Sequence, residues 1–348
     1  MASHDVDSQL LLLRRQYLQL FEPDFLAWPP PQLLRSADAQ AWIHKHMFDE
    51  NRNEKLPPPR YRLRVLKPLL ARIEKSIQDP EEDEISDELM NHLATLMTNG
   101  VPSELQAVQE KAFVTFACLP EKEDLYDDAC TDPCITLLER RHLISGSRTT
   151  GFRTWEAALH LGSYLLTKAG SDLIRGKNIL ELGAGTGFLA ILCAKILRAQ
   201  HIATTDGDDG VVEALEENLQ LNNLNDRERV FTKTLWWGNE LRGTWVEEDC
   251  NTWPYDVVIG ADITYDKEAI VALVSTLQHL FDMRPELLVI IAGVIRNADT
   301  FQTFRDECAR RHFTLKEIEF AAKPMREQKA LFYAAAVPIK IVTVTQSS

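Results

Sequence analysis

Apolar residues recur at helical spacing in the first part of the chain and in strand-like runs later, and that change of period divides it. Leu10, Leu13, Tyr17 and Leu20 share one helical face and predict an opening amphipathic helix. Trp28-Pro-Pro-Pro31 is its expected stop, because proline cannot donate to a helix and restricts the residue before it. A second stripe, Leu66, Leu70, Ile73 and Ile77, follows the Pro57-Pro-Pro59 break; a third, Ile85, Leu89, Leu93 and Leu96, follows the acidic run Glu81 to Glu84. Such stripes need a partner to pack on, so residues 1–110 are expected to form a helical accessory domain. Short β-prone runs at 112–118 and 134–138 then predict a β-hairpin within 111–150, joining this domain to a core at 151–348.

From Asn178 onward strands and helices alternate. Strand-like runs occur at Asn178–Leu182, His201–Asp206, Val230–Leu235, Tyr255–Ala261 and Leu287–Ala292, and between them Val212/Leu215/Leu219 and Ile270/Leu273/Leu277/Leu280 mark helical faces. Phe301, Phe304 and Cys308 mark another helix, and two β-prone runs, Phe313–Phe320 and Leu331–Val337, close the chain. The fold class is therefore α/β, a Rossmann-like parallel sheet of seven strands with a terminal antiparallel pair. Ligands of such sheets bind beyond the carboxyl ends of the strands.

The residues at those ends carry the candidate chemistry. Glu181-Leu-Gly183-Ala184-Gly185-Thr-Gly187 reads as a strand end and a glycine turn opening a helix, where the missing Cβ atoms permit a tight bend and a close ligand. The dinucleotide fingerprint needs its third glycine where this chain has Phe188. Glu181 is an acceptor suited to a cationic amine or hydroxyls and unsuited to phosphate. S-adenosyl-L-methionine, with an amino acid tail, a ribose and no phosphate, fits better than a dinucleotide. Asp206 ends the second core strand, where its oxygens can accept from both ribose hydroxyls or cap the next helix. Trp236-Trp237-Gly238 follows the third strand and offers an indole to an adenine face. The fourth strand delivers Asp262 and Tyr265, the catalytic candidates. Trp155, at the start of an apolar helical run, reads on its own as core packing.

Composition narrows the partner. A formal net charge of -14, with no block of lysines and arginines, disfavours nucleic acid as a direct substrate and tolerates a protein that presents a lysine or arginine. The apolar run Leu10–Leu13 is too short to cross a membrane. The six cysteines are scattered as free thiols; Cys130 and Cys134 are neighbours but lack two further ligands, so no metal is expected and a reducing cytoplasm is.

Taken together, Glu181 to Gly187, Asp206, Leu235-Trp-Trp-Gly238 and Asp262-Ile-Thr-Tyr265 resemble the seven-β-strand protein-lysine methyltransferases, methyltransferase family 16. Thr149-Thr-Gly-Phe-Arg-Thr-Trp155-Glu-Ala-Ala158 and Val294-Ile-Arg296-Asn297-Ala-Asp-Thr300 resemble the branch that methylates eukaryotic elongation factor 2, as does the long helical extension. The resemblance implies a class I S-adenosyl-L-methionine-dependent core acting on elongation factor 2; a monomer is the expected state. It implies that Trp155 packs against the methionine end of the cofactor, reversing the core reading. Gly183, Ala184 and Gly185 would form the cofactor turn, Asp206 would hold ribose, Trp237 adenine, and Ala261 would line the pocket beside the methyl group. Asp262 and Tyr265 match the family's D-x-x-Y motif. Trp236 departs from the usual single tryptophan and leaves open which indole meets adenine. A lysine of another cytosolic protein, or a cofactor-binding module without turnover, remain the alternative readings.

Overall fold

The computed structural model describes residues 7–79, 81–98, 111–121, 132–140 and 150–347; Cys130, Thr149 and most of the expected hairpin loop lie outside them. The chain divides into two compact units, residues 1–117 with 136–144, and 118–135 with 145–348.

In the first unit, α1 (Ser8–Leu18) is capped by the Asp7 carboxylate, which accepts the Gln9 N–H at 2.8 Å. The helix ends ten residues before the expected proline stop. Leu20 takes φ +57°, and the Phe21 N–H turns back to the Gln16 carbonyl at 3.0 Å, closing the helix with a left-handed residue. Prolines start helices here instead: Pro31 opens α2 (Pro31–Arg35), followed by α3 (Ala37–Ile43), and Pro59 opens α4 (Pro59–Ser76). With α5 (Asp87–Thr98) these helices bury one cluster that includes Leu13, Tyr17, Ile43, Leu66, Ile73 and Leu89. The Tyr17 hydroxyl donates to the Met47 carbonyl at 2.7 Å, so the buried ring carries no orphaned polar atom. Strands β1 (Ala112–Ala117) and β2 (Cys134–Glu139) form a two-stranded sheet in which the Thr115 and Thr136 hydroxyls meet at 2.9 Å.

In the second unit, α6 (Glu156–Leu165) and α7 (Lys168–Asp172) precede β3 (Asn178–Leu182). Then come α8 (Phe188–Ile191) with a π turn to Ile196, β4 (His201–Asp206), α9 (Asp209–Leu221), β5 (Val230–Thr234) and α10 (Trp245–Thr252). The rest are β6 (Val257–Ala261), α11 (Lys267–Met283), β7 (Leu288–Val294), α12 (Ala298–Arg310), β8 (Phe313–Ile318) and β9 (Ile339–Gln346). The sheet order is β5-β4-β3-β6-β7-β9-β8: β5, β4, β3, β6 and β7 are parallel, and β9 runs antiparallel to both β7 and β8. The central strands are buried along nearly their whole length, as a parallel sheet covered on both faces requires. Strand order reverses at β3 and β6, and a crevice opens there at the carboxyl ends.

The last strand is not the expected Leu331–Val337 but β9, eight residues further on. Leu331, Phe332 and Tyr333 are buried, which explains the β-like pattern, yet Leu331 has φ +48° and cannot join a ladder. The Gln328 side chain satisfies this segment instead, accepting from Tyr333 N–H at 2.9 Å and donating to the Tyr333 carbonyl at 3.0 Å.

Candidate active site

Every parallel strand delivers a loop to the same edge, and those loops enclose a cavity of about 910 Å³. β3 supplies Glu181 and the turn at Gly183, Ala184 and Gly185; β4 supplies Asp206; the segment after β5 supplies Trp236 and Trp237; β6 supplies Ala261, Asp262 and Tyr265; and Trp155 stands at the start of α6. Ten of the eleven expected site residues therefore line one cavity. Gly187 does not: at φ +81° it starts α8, and a Cβ there would lie 2.1 Å from Leu215 Cδ1, so its place is in the packing behind the turn.

The turn is held from beneath. The Ala184 N–H donates to the Thr205 carbonyl at 2.8 Å, the Gly185 N–H to Asp206 Oδ2 at 3.0 Å, and the Gly187 N–H to the Ala184 carbonyl at 2.9 Å. These amides are therefore occupied, and the turn presents carboxylate where a pyrophosphate site would present bare N–H groups. Gly183 has φ +64°; a Cβ would fall 2.6 Å from Ile263 Cγ2 and 3.4 Å from the Trp237 ring, so only glycine leaves this cradle open. Trp237 is partly buried and packs against the core of the sheet, whereas Trp236 is 64% exposed.

The acidic groups are unevenly solvated. Glu181 is buried, accepts from the Thr204 hydroxyl at 2.8 Å, and is pushed up to about 8, first by burial and further by the nearby Asp206 charge. Burial also raises Asp206, against the pull of the Gly185 and Asp208 amides. An acidic floor fits a cationic, hydroxyl-bearing nucleoside, and S-adenosyl-L-methionine has a sulfonium, an ammonium and a ribose diol.

Asp262 and Tyr265 line the cavity from the segment that follows β6. Asp262 adopts φ +57°, a left-handed conformation that Asp tolerates better than most residues. Its N–H donates to the Ala292 carbonyl at 2.8 Å, Oδ1 accepts from Val294 N–H at 3.2 Å, and Oδ2 accepts from Arg296 Nη2 at 3.1 Å. Tyr265 is 62% exposed at the rim. The Trp155 indole donates to the Thr150 carbonyl at 2.9 Å, with the Arg153 and Arg296 guanidinium carbons 5.2 and 5.7 Å from its ring. Sequence reasoning assigned no role to Arg153 or Arg296, nor to the Thr154–Thr186 hydroxyl pair, 2.7 Å apart, whose two residues also line the cavity. Arg296 was within reach of such reasoning, because it follows a parallel strand by two residues and so must emerge at the ligand edge.

Comparison with known proteins agrees with this geometry. Residues 143–307 match the lysine methyltransferase family. The chain is 46% identical over 326 residues to protein-lysine N-methyltransferase EFM3 of Chaetomium thermophilum, covering 94% of each. It is 31% identical over 293 residues to EFM3 of Saccharomyces cerevisiae, covering 78% of each. Against human protein-lysine N-methyltransferase EEF2KMT the identity is 30% over 225 residues, 61% of this chain and 64% of that one. A seven-stranded sheet with a parallel core and a terminal antiparallel pair, an acid-floored cavity at its carboxyl edge and similarity over 94% of the chain lead to one conclusion: the chain belongs to the lysine methyltransferase family and is an S-adenosyl-L-methionine-dependent protein-lysine N-methyltransferase.

Proposed function

We propose that the substrate is elongation factor 2, methylated at one lysine in the cytosol by a monomeric enzyme. Support comes from the Gly151–Ala158 and Val294–Thr300 motifs and from similarity to the human relative whose name points to that factor. Docking of so large a partner falls to the helical unit, residues 1–110 in the sequence division, which exposes Phe25, Met90 and Met97.

Within the cavity, Gly183, Ala184 and Gly185 bring backbone against the cofactor, Gly187 shapes their turn, and Asp206 accepts from the ribose hydroxyls. Trp237 takes the adenine face; its packing beside Gly183 favours it over the exposed Trp236. Glu181 faces the cationic end, and Trp155 and Ala261 flank the reactive methyl group. Bound there, the cofactor would supply a sulfonium methyl carbon to the lysine amine lone pair, its sulfur keeping the electron pair of the broken C–S bond. Asp262 orients the amine through its hydrogens, and the Tyr265 ring face attracts the cationic side chain on its way in. The observation that carries these roles is the meeting of Asp262, Tyr265 and the glycine turn around one cavity.

Asp262→Asn keeps the left-handed backbone tolerable while removing the charge. It should lower kcat about a hundredfold with little change in cofactor affinity. Mass spectrometry of elongation factor 2 from cells with and without the enzyme tests the substrate; an unchanged methylation pattern would direct the search to a lysine of another protein.

A further inference from the structure

Asp262 is not a lone carboxylate. It is 11% exposed, and both its oxygens are engaged, Oδ1 by the Val294 amide and Oδ2 by the Arg296 guanidinium. The Arg296 side chain is 50% exposed and its guanidinium lies over the Trp155 indole, which also lines the cavity. Other charged or titratable groups on the cavity wall are Arg153 at the entry to α6, Glu181 and Asp206 at the ends of β3 and β4, Asp208 before α9, and Tyr265 at the rim. Glu156, 3.6 Å from Arg153, partly offsets that arginine, and Asp266 is committed to capping α11. Among the described residues Arg296 is thus the cation bonded directly to the Asp262 carboxylate.

This pairing bears on a conflict in the chemistry. Methyl transfer needs the neutral amine, but lysine in water is protonated up to about pH 10.4, and an uncompensated carboxylate beside it would strengthen the ammonium further. A guanidinium keeps its charge throughout the working range and can bond the carboxylate while leaving the second lone pair of Oδ2 open to an N–H. We propose that Arg296 is a charge-compensating positioning residue, which lets Asp262 orient the substrate amine without trapping it as an ammonium. The proposal rests on the reading of Asp262 as the orienting group. The proton that leaves the lysine goes to bulk water before the N–C bond forms, so no further acceptor is required.

The test is kcat for methyl transfer to purified elongation factor 2 from pH 6.5 to 10, since kcat reports groups in the bound complex. Arg296→Gln should lower kcat about tenfold at pH 7.5 and move the acid limb up by about one pH unit, so that the loss is recovered near pH 9.5. Arg296→Lys should retain most of the wild-type profile. Equal loss by Arg296→Gln at every pH would overturn the proposal in favour of a structural role. A rise in kcat at neutral pH would overturn it in favour of a plug that substrate must displace. Full activity of Asp262→Asn alone would instead remove the orienting role itself, a failure separate from either result at 296.

Discussion

The role proposed for Glu181 would link cofactor binding to a proton. Its carboxyl is buried against β4, bonded by one side-chain donor, and raised from 4.5 to about 8, chiefly by desolvation. At pH 7, without cofactor, only about one molecule in ten then carries the carboxylate. A sulfonium and an ammonium entering the cavity favour the ionised form, so binding at pH 7 should expel close to one proton, and affinity should climb about tenfold from pH 6.5 to 7.5 before levelling above 8. Glu181→Gln keeps the acceptor for Thr204 and removes the titration. Calorimetry in buffers of different ionisation enthalpy counts the protons. The cofactor's own amino group titrates near 8, so the quantity to read is the difference between the two proteins. Stability shows the same group from another side. With the folded value above the unfolded one, the wild-type contribution is fully present below pH 4.5 and is lost as pH rises to about 8, at about 1.4 kcal/mol per unit or roughly 3 kcal/mol by pH 7. Relative to Glu181→Gln, the cofactor-free wild type should therefore lose several degrees in Tm between pH 5 and 8. Equal proton release by the two proteins, together with a constant gap in Tm, would refute the reasoning.

Two further changes probe the walls of the cavity. Gly183→Ala forces a Cβ to within 2.6 Å of Ile263 at positive φ, and should cost about 1–3 kcal/mol in stability and more than tenfold in cofactor affinity, measured by thermal melts and titration calorimetry. Trp237→Ala should weaken both stability and cofactor binding because the ring packs on the core, whereas Trp236→Ala, removing a 64% exposed side chain, should leave Tm within about a degree; the reverse order would reassign the adenine face.

Periodicity and local chemistry were enough for most of this protein. Buried parallel strands announce themselves as continuous apolar runs, and a residue at the end of such a run must stand at the ligand edge; that is why Glu181, Asp206 and Asp262 were legible in the sequence. The tandem indoles after β5 were legible as an aromatic platform, but the choice of Trp237, like the proposed roles of Trp155 and Ala261, followed from resemblance to a known motif, since burial pattern alone reads Trp155 as core. Tertiary structure decided what depends on partners distant in sequence. Leu331 to Tyr333 look like a strand because they are buried, but the Gln328 side chain takes their hydrogen bonds and the ladder goes to β9. Gly187 belongs to the turn motif, yet Leu215 on α9, one strand further along the chain, packs against it and sets it behind the cavity. Arg296 and Asp262 lie 34 residues apart, and it is the parallel pairing of β6 with β7, Ala261 opposite Ala292, that brings both to one edge and makes an ion pair of them. No local pattern encodes that contact: a charged residue just past a strand looks the same whether it faces solvent or a carboxylate on the neighbouring strand.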